Sequence, residues 1–342
     1  ITVTSAAASK TYDGTPLTTS GIDKLTVTGA GLGSGDALHS VNFTGTQTAA
    51  GSSDNTFDIL TIYKGTENVT ANYDITPAYG MLTVTKKSLG GGEVSVADIA
   101  DQTYTGEEIK PVPKVTYAPS GKTALTVSAD DYDVTYSNNV NKGTAMITIT
   151  AKDASTNFSG SITKTFQIVQ RKITVTSAAA SKTYDGTPLT TSGIDKLTVT
   201  GAGLGSGDAL HSVNFTGTQT AAGSSDNTFD ILTIYKGTEN VTDNYTITPA
   251  YGTLTVSARS IEESGGYAKD ITVADIADQT YTGSAIMPQP VVTCTGLKSA
   301  ASTTLVKDTD YTVSYSANVN VGTVTITITG KGNYSGSITK TF

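Results

Sequence analysis

The chain has 342 residues, a net charge of −8, 15% charged residues, 35 Gly, 17 Tyr, a single Cys and no Trp. Its basic residues never cluster beyond the pairs Lys86–Lys87 and Arg171–Lys172, so a nucleic-acid partner and an anionic membrane surface are excluded for want of grouped cations. No apolar run approaches the roughly 18 residues of a bilayer span, and lone Cys294 excludes an internal disulfide.

Abundant Thr and Tyr favour pleated, half-buried strands and Gly serves tight turns, so the composition predicts an all-β protein. Internal repetition organises it. Residues 1–84 recur at 173–256 with three differences: Ala71 against Asp243, Asp74 against Thr246, and Met81 against Thr253. A second, more diverged unit spans about 93–170 and returns at about 270–342. Four segments follow, in the order A1 (1–88), B1 (93–170), A2 (173–260) and B2 (270–342).

In chain order, A1 opens on an apolar strand, Ile1-Thr-Val, then a Tyr12-Asp-Gly14 turn with Pro16 beyond it. Gly29-Ala-Gly-Leu-Gly-Ser-Gly35 favours no regular element, and a short helical turn is expected at Gly35–His39. An Asn72-Tyr73 pair, a turn and a last strand close the segment. The stretch 86–92, Lys-Lys-Ser-Leu-Gly-Gly-Gly, reads as a linker, as does 258–269. In B1 and B2, Ala145, Ile147 and Ile149 match Val324, Ile326 and Ile328 at period two, which predicts a strand with one buried side. Lys152–Phe158 and the three-residue-shorter Lys331–Tyr334 sit where a hairpin tip tolerates insertion. Tyr311-Thr-Val-Ser-Tyr315 alternates likewise.

Two landmarks recur in all four segments. One is a Tyr-x-Gly turn, at 12–14, 104–106, 184–186 and 281–283. The other is an Asn-aromatic pair, at Asn72-Tyr73, Asn157-Phe158, Asn244-Tyr245 and Asn333-Tyr334. Segments of about 80 residues with about seven short strands fit a tandem array of small immunoglobulin-like β-sandwich modules. A β-grasp with one short helix is the alternative.

Lys10-Thr-Tyr-Asp-Gly-Thr-Pro16, Leu32-Gly-Ser-Gly-Asp36 and Asn72-Tyr73 resemble the YDG or MBG-type repeats of bacterial adhesins. The B segments are similar to related repeats in surface proteins of gut Firmicutes, through Tyr281-Thr-Gly, Asp310-Tyr311-Thr-Val-Ser-Tyr315 and Gly330-Lys-Gly-Asn-Tyr334. The resemblance implies a non-catalytic stalk or adhesin segment, extracellular at the cell surface or wall, and a monomeric rod within a longer chain. It brings no catalytic residues with it. The chain begins inside an apparent strand, as expected of a piece of a longer protein. In the alternative reading the modules themselves bind a host glycan or protein, and the two near-identical A copies gain by avidity.

No catalytic, cofactor-binding or metal-binding residues are assigned, and an enzyme is not expected. His39 and His211 occupy one repeated position without partner ligands. Gly29–Gly35 lacks the Lys-Ser/Thr ending of a phosphate loop. Cys294, in a Thr/Val run, reads as a small core or surface residue. Asp54 with Asp58, Asp226 with Asp230, Asp130-Asp131 with Asp133, and Asp308 with Asp310 could begin a calcium site, but too few oxygens converge in sequence to assign one. Lys–Asn isopeptide or Thr–Gln ester cross-links are a further idea in a chain without disulfides.

Overall fold

A computed structural model describes residues 1–262, 270–299 and 303–342. The chain divides into two compact units, one of residues 1–103 and 108–169, the other of residues 104–107 and 170–342. Both are all-β with sandwich architecture. The helix a β-grasp needs is absent among the described residues, where the helical elements are single 3-10 turns of three residues.

In the first unit, the opening stretch serves two sheets in succession. Thr2–Ser5 pairs antiparallel with Leu25–Thr28 and parallel with Thr76–Ala78. After a break at Ala6–Ala7 the chain resumes as Ala8–Thr11, parallel to Met81–Thr85, whose other edge takes Gly51–Asp54. A buried polar pin holds this switch. Asn55, fully buried, donates from its amide to the Ala6 carbonyl (2.8 Å) and accepts from Thr19 Oγ1 (2.9 Å), while Ser5 Oγ donates to the Asn55 carbonyl (2.7 Å). The backbone passes so close that a Cβ on Gly80 would lie 2.5 Å from Ala7 N, so no other residue fits there. A third sheet joins Asp36–Phe43, Phe57–Lys64 and Glu67–Asn68. The expected helical turn at Gly35–His39 is therefore a strand start instead. The reason is the alternation of Ala37, His39 and Val41 with Leu38 and Ser40, which pairs with Phe57–Lys64 and outweighs the local Gly-Asp signal.

Residues 87–169 build the other half of this unit. Val94–Val96 pairs with Val115–Tyr117, and a four-stranded sheet runs Gln102–Thr103, Ser161–Val169, Gly143–Ala151, Tyr132–Ser137. Ala145, Ile147 and Ile149 have no exposed surface, as their period-two spacing predicts. Complete burial of such a Val, Leu or Ile side chain contributes about 1.5–3 kcal/mol, and these alternating faces are where the stability resides. The stretch read as a linker at 86–92 is a correction. Lys87–Ser88 forms a parallel strand with Phe158–Ser159, and Leu89 is fully buried. An apolar side chain gains more from sealing this core than its Gly neighbours lose by ordering.

The second unit repeats both patterns. Arg171–Ser177 pairs with Leu197–Gly201 and, in parallel, with Tyr245–Ala250. Ile271–Val273 pairs with Val292–Cys294, and Tyr311–Ser316, Thr325–Gly330 and Ser337–Thr341 form one sheet. Arg259–Ser260 pairs with Tyr334–Ser335 and Ile261 is buried, so this linker reading is likewise corrected through 262; the expected linker's 263–269 lies outside the described residues.

Candidate functional site: joints between turns and Asn-aromatic pairs

The two landmarks that recur along the sequence are the two halves of one joint. In the first unit the Tyr12 ring meets Phe158 edge-on, with centroids 5.7 Å apart, and the Tyr12 carbonyl accepts from the Tyr117 hydroxyl at 2.7 Å. Asn157, beside Phe158, accepts the Ala50 N–H at 2.9 Å. In the second unit Tyr184 meets Tyr334 edge-on at 5.7 Å, and Asn333 accepts the Ala222 N–H at 2.7 Å. Such edge-to-face contacts add about 0.5–1.5 kcal/mol beyond the area they bury.

A third joint, also within the second unit, seats Tyr104–Glu107. Tyr104 is fully buried, edge-on to Tyr245 at 5.5 Å, and its hydroxyl donates to Asp208 Oδ2 at 3.0 Å. The Tyr245 hydroxyl donates to the same oxygen and accepts the Gly205 N–H at 2.7 Å. Asn244 hydrogen-bonds Tyr104 as well. Burial first, and then the Asp208 carboxylate, push the Tyr104 phenol up to about 12. The turn backbone is clasped too. Ser206 N–H donates to the Thr105 carbonyl (2.8 Å), Arg171 Nη1 to the Tyr104 carbonyl (3.3 Å), and Lys236 Nζ to the Gly106 carbonyl, with Glu107 paired to Lys236 at 3.3 Å. Gly106 has φ +86°, and a Cβ there would lie 2.6 Å from Ser206 N, so both conformation and contact demand glycine.

The turn itself is prefolded. Asp13 Oδ1 accepts from Lys10 Nζ (2.7 Å), Thr15 N–H (2.9 Å) and Thr15 Oγ1 (2.8 Å). Burial pulls its carboxyl upward, but these donors, Lys10 foremost, outweigh it and bring the group down to about 2. Asp185 is set the same way by Lys182 and Thr187, with Lys298 at 3.1 Å, and lies well below the usual carboxylate range. The Lys-Thr-Tyr-Asp-Gly-Thr run thus closes on itself and presents its Tyr.

The remaining residues singled out from the sequence take other places. His39 and His211 are exposed and stack on Tyr63 and Tyr235 at 4.0 Å. Cys294 is a core residue with no exposed surface. The acidic residues are spread over local bonds: Asp58 and Asp230 accept from Asn42 and Asn214, Asp131 from Ser155, Asp310 from the Val306 N–H, and Asp133 lies 3.9 Å from Lys152. No group of three or more His, Cys, Asp or Glu suited to a metal ion occurs among the described residues. Gly29–Gly35 and Gly201–Gly207 carry the backbone N–H groups of Gly33 and Gly205 to the Tyr73 and Tyr245 hydroxyls. Buried Asn55, Asn139 and Asn227 spend their amides on the carbonyls of Ala6, Ile109 and Ala178. A groove beside Tyr281, Ile286, Val324 and Phe342 lies where the first unit places Gln167–Val169, so it is a strand's seat rather than a ligand cavity. No helix among the described residues is long and apolar enough to cross a membrane.

No known protein-family model and no curated protein matches the chain.

Proposed function

We propose that this chain is a non-catalytic extracellular stalk or adhesin segment of a bacterial surface protein, of the YDG/MBG repeat type. The observation that carries this reading is the use made of the recurring motifs. Tyr12-Asp-Gly, Tyr104-Thr-Gly and Tyr184-Asp-Gly are all spent on joints between successive repeats, and their polar groups face one another rather than a cavity. Motifs spent on joining repeats serve a mechanical role, since stability in such arrays is a sum of repeat and nearest-neighbour terms.

Small-angle scattering of the chain in solution tests the reading. A stalk predicts a radius of gyration about twice the roughly 20 Å expected for a compact chain of this length; a value near 20 Å would overturn it. Exposed His39 on Tyr63 and its copy His211 on Tyr235 favour the alternative, a surface that binds a host glycan or protein at two equal sites. Retention on immobilised mucin that drops on changing both His residues to Ala would favour that second reading.

A further inference from the structure

Four turns and four Asn-aromatic pairs make three joints, which leaves one of each. The spare pair is Asn72-Tyr73. Every group that receives Tyr104–Glu107 through the A2 repeat recurs around it: Gly33, Ser34, Asp36, Lys64, Asn72 and Tyr73 stand for Gly205, Ser206, Asp208, Lys236, Asn244 and Tyr245. The receiving geometry is already formed. The Tyr73 hydroxyl donates to Asp36 Oδ2 at 2.5 Å and accepts the Gly33 N–H at 2.7 Å, the same bonds that Tyr245 makes with Asp208 and Gly205. What differs is cover. Tyr245 is 4% exposed and Gly205 and Asn244 are buried, whereas Tyr73 is only half-buried and Gly33 and Asn72 are exposed. The Tyr73 phenol is raised chiefly by its Asp36 bond and that of Tyr245 chiefly by burial, as an open and a filled copy of one site should be.

The spare turn is Tyr281-Thr-Gly-Ser284. It holds the shape of the seated one. Gly283 has φ +74° against +86° at Gly106. The Ser284 N–H donates to Thr282 Oγ1 (3.4 Å) as the Glu107 N–H does to Thr105 Oγ1 (3.1 Å). Its aromatic ring is left outside: Tyr281 is 58% exposed, against 0% for Tyr104.

We propose that the Tyr281–Ser284 turn of one chain seats on the Asp36–Tyr73 cradle of a second copy, so that chains associate head to tail. In that seat the Tyr281 hydroxyl donates to Asp36 Oδ2, its ring meets Tyr73 edge-on, and Lys64 Nζ donates to the Gly283 carbonyl. The interface is heterologous, so it propagates to open chains rather than closing on a dimer. Both surfaces are preformed, which lowers the cost of ordering on association. The patch is nevertheless far smaller than the roughly 20–30 residues a side of a stable interface, so dissociation falls in the high-micromolar to millimolar range.

Sedimentation of the full chain from about 10 μM to about 1 mM tests this, with loading set to span that affinity range. The expected result is an average mass that rises with concentration. Tyr281→Ala and Asp36→Asn should each weaken association at least about ten-fold, the scale of losing one charge-assisted hydrogen bond. Circular dichroism and unchanged thermal midpoints keep misfolding from imitating that loss. Mixing the two variants should restore association that stops at a 1:1 pair, because one chain retains only the cradle and the other only the turn. Ser284→Glu restores the acid that Glu107 offers Lys236 and should tighten association about 1.5- to 5-fold, the range of an exposed ion pair. A chain that stays monomeric at about 1 mM, or association that survives both single variants, overturns the proposal.

Discussion

One turn sequence is received in two different ways in the two units. Residues 10–16 and 182–188 are identical, yet Tyr12 meets Tyr117 and Lys87 while Tyr184 meets Cys294 and Arg259 at the equivalent places. In the first unit Tyr117 reaches the turn itself and donates to the Tyr12 carbonyl, and Lys87 lies 5.2 Å from the Tyr117 ring centroid, paired to Glu93 at 2.5 Å. In the second, Cys294 is too short to reach. Arg259 is buried in the vacated volume, donates to the Tyr184 carbonyl at 3.3 Å and pairs with Asp270. The donor to the turn carbonyl is kept while the residue that supplies it changes. The lesson is that the requirement lies on the unsatisfied carbonyl, since an unpaired buried acceptor costs about 1–3 kcal/mol.

Breaking the ion pair should separate the units most. Asp270→Ala leaves the Arg259 guanidinium, 4% exposed, without its carboxylate, and is expected to cost about 3 kcal/mol in urea unfolding. Glu93→Ala, whose Lys87 partner is less buried, should cost about 1 kcal/mol or less. Equal losses would mean that the two pairs are equivalent.

Exchanging the receivers sharpens the comparison. Cys294→Tyr alone overfills the space that Arg259 occupies and is expected to destabilise by about 1–3 kcal/mol. Adding Arg259→Lys recreates the first unit's arrangement, so the double variant should be more stable than the sum of the two single losses by about 1–2 kcal/mol. Strict additivity would show that the two positions are not coupled.

Acid titration probes the shared part. The Asp13 carboxyl is held at about 2, below its unfolded value near 4, so the stability it contributes is fully present above about pH 4 and is lost as the pH falls through about 2. Asp13→Asn should flatten the pH dependence of the first unit's stability in that window by about 1 kcal/mol, measured by hydrogen exchange at turn amides. Asp185→Asn should flatten that of the second unit in the same direction, since Lys298 adds a donor there.

The smallest effect belongs to a pair of positions that ought not to distinguish the units. Ile59 and Ile231, both 71% exposed, sit at φ 46° and 45°, a left-handed conformation that disfavours a β-branched side chain. Asn tolerates that region, so Ile59→Asn and Ile231→Asn should each stabilise by about 1 kcal/mol or less, read from urea midpoints. Unequal gains would place an unshared contact at one of them.

The strands of residues 143–151 and 325–330 are legible because side-chain alternation alone decides which face is buried. The joints were visible only as separate landmarks. Tyr12 and Phe158 are far apart in the chain, and nothing local to either indicates the other. Leu89 and Ile261 carried a signal that was available: a cation, Ser and a large aliphatic recur in register at 87–89 and 259–261 while their neighbours diverge. The glycines that follow suggest a linker because they are read locally, whereas the core that these two residues close lies elsewhere in sequence.

The sequence by itself determined the all-β class, the repeat, and the buried faces of the regular strands, because period and composition act over a few neighbouring residues. Only the tertiary structure decided that the Tyr-x-Gly turns and Asn-aromatic pairs belong together, and that Tyr117 and Arg259 do the same work. Those partnerships depend on which carbonyls and rings the folded chain brings within hydrogen-bonding and van der Waals reach.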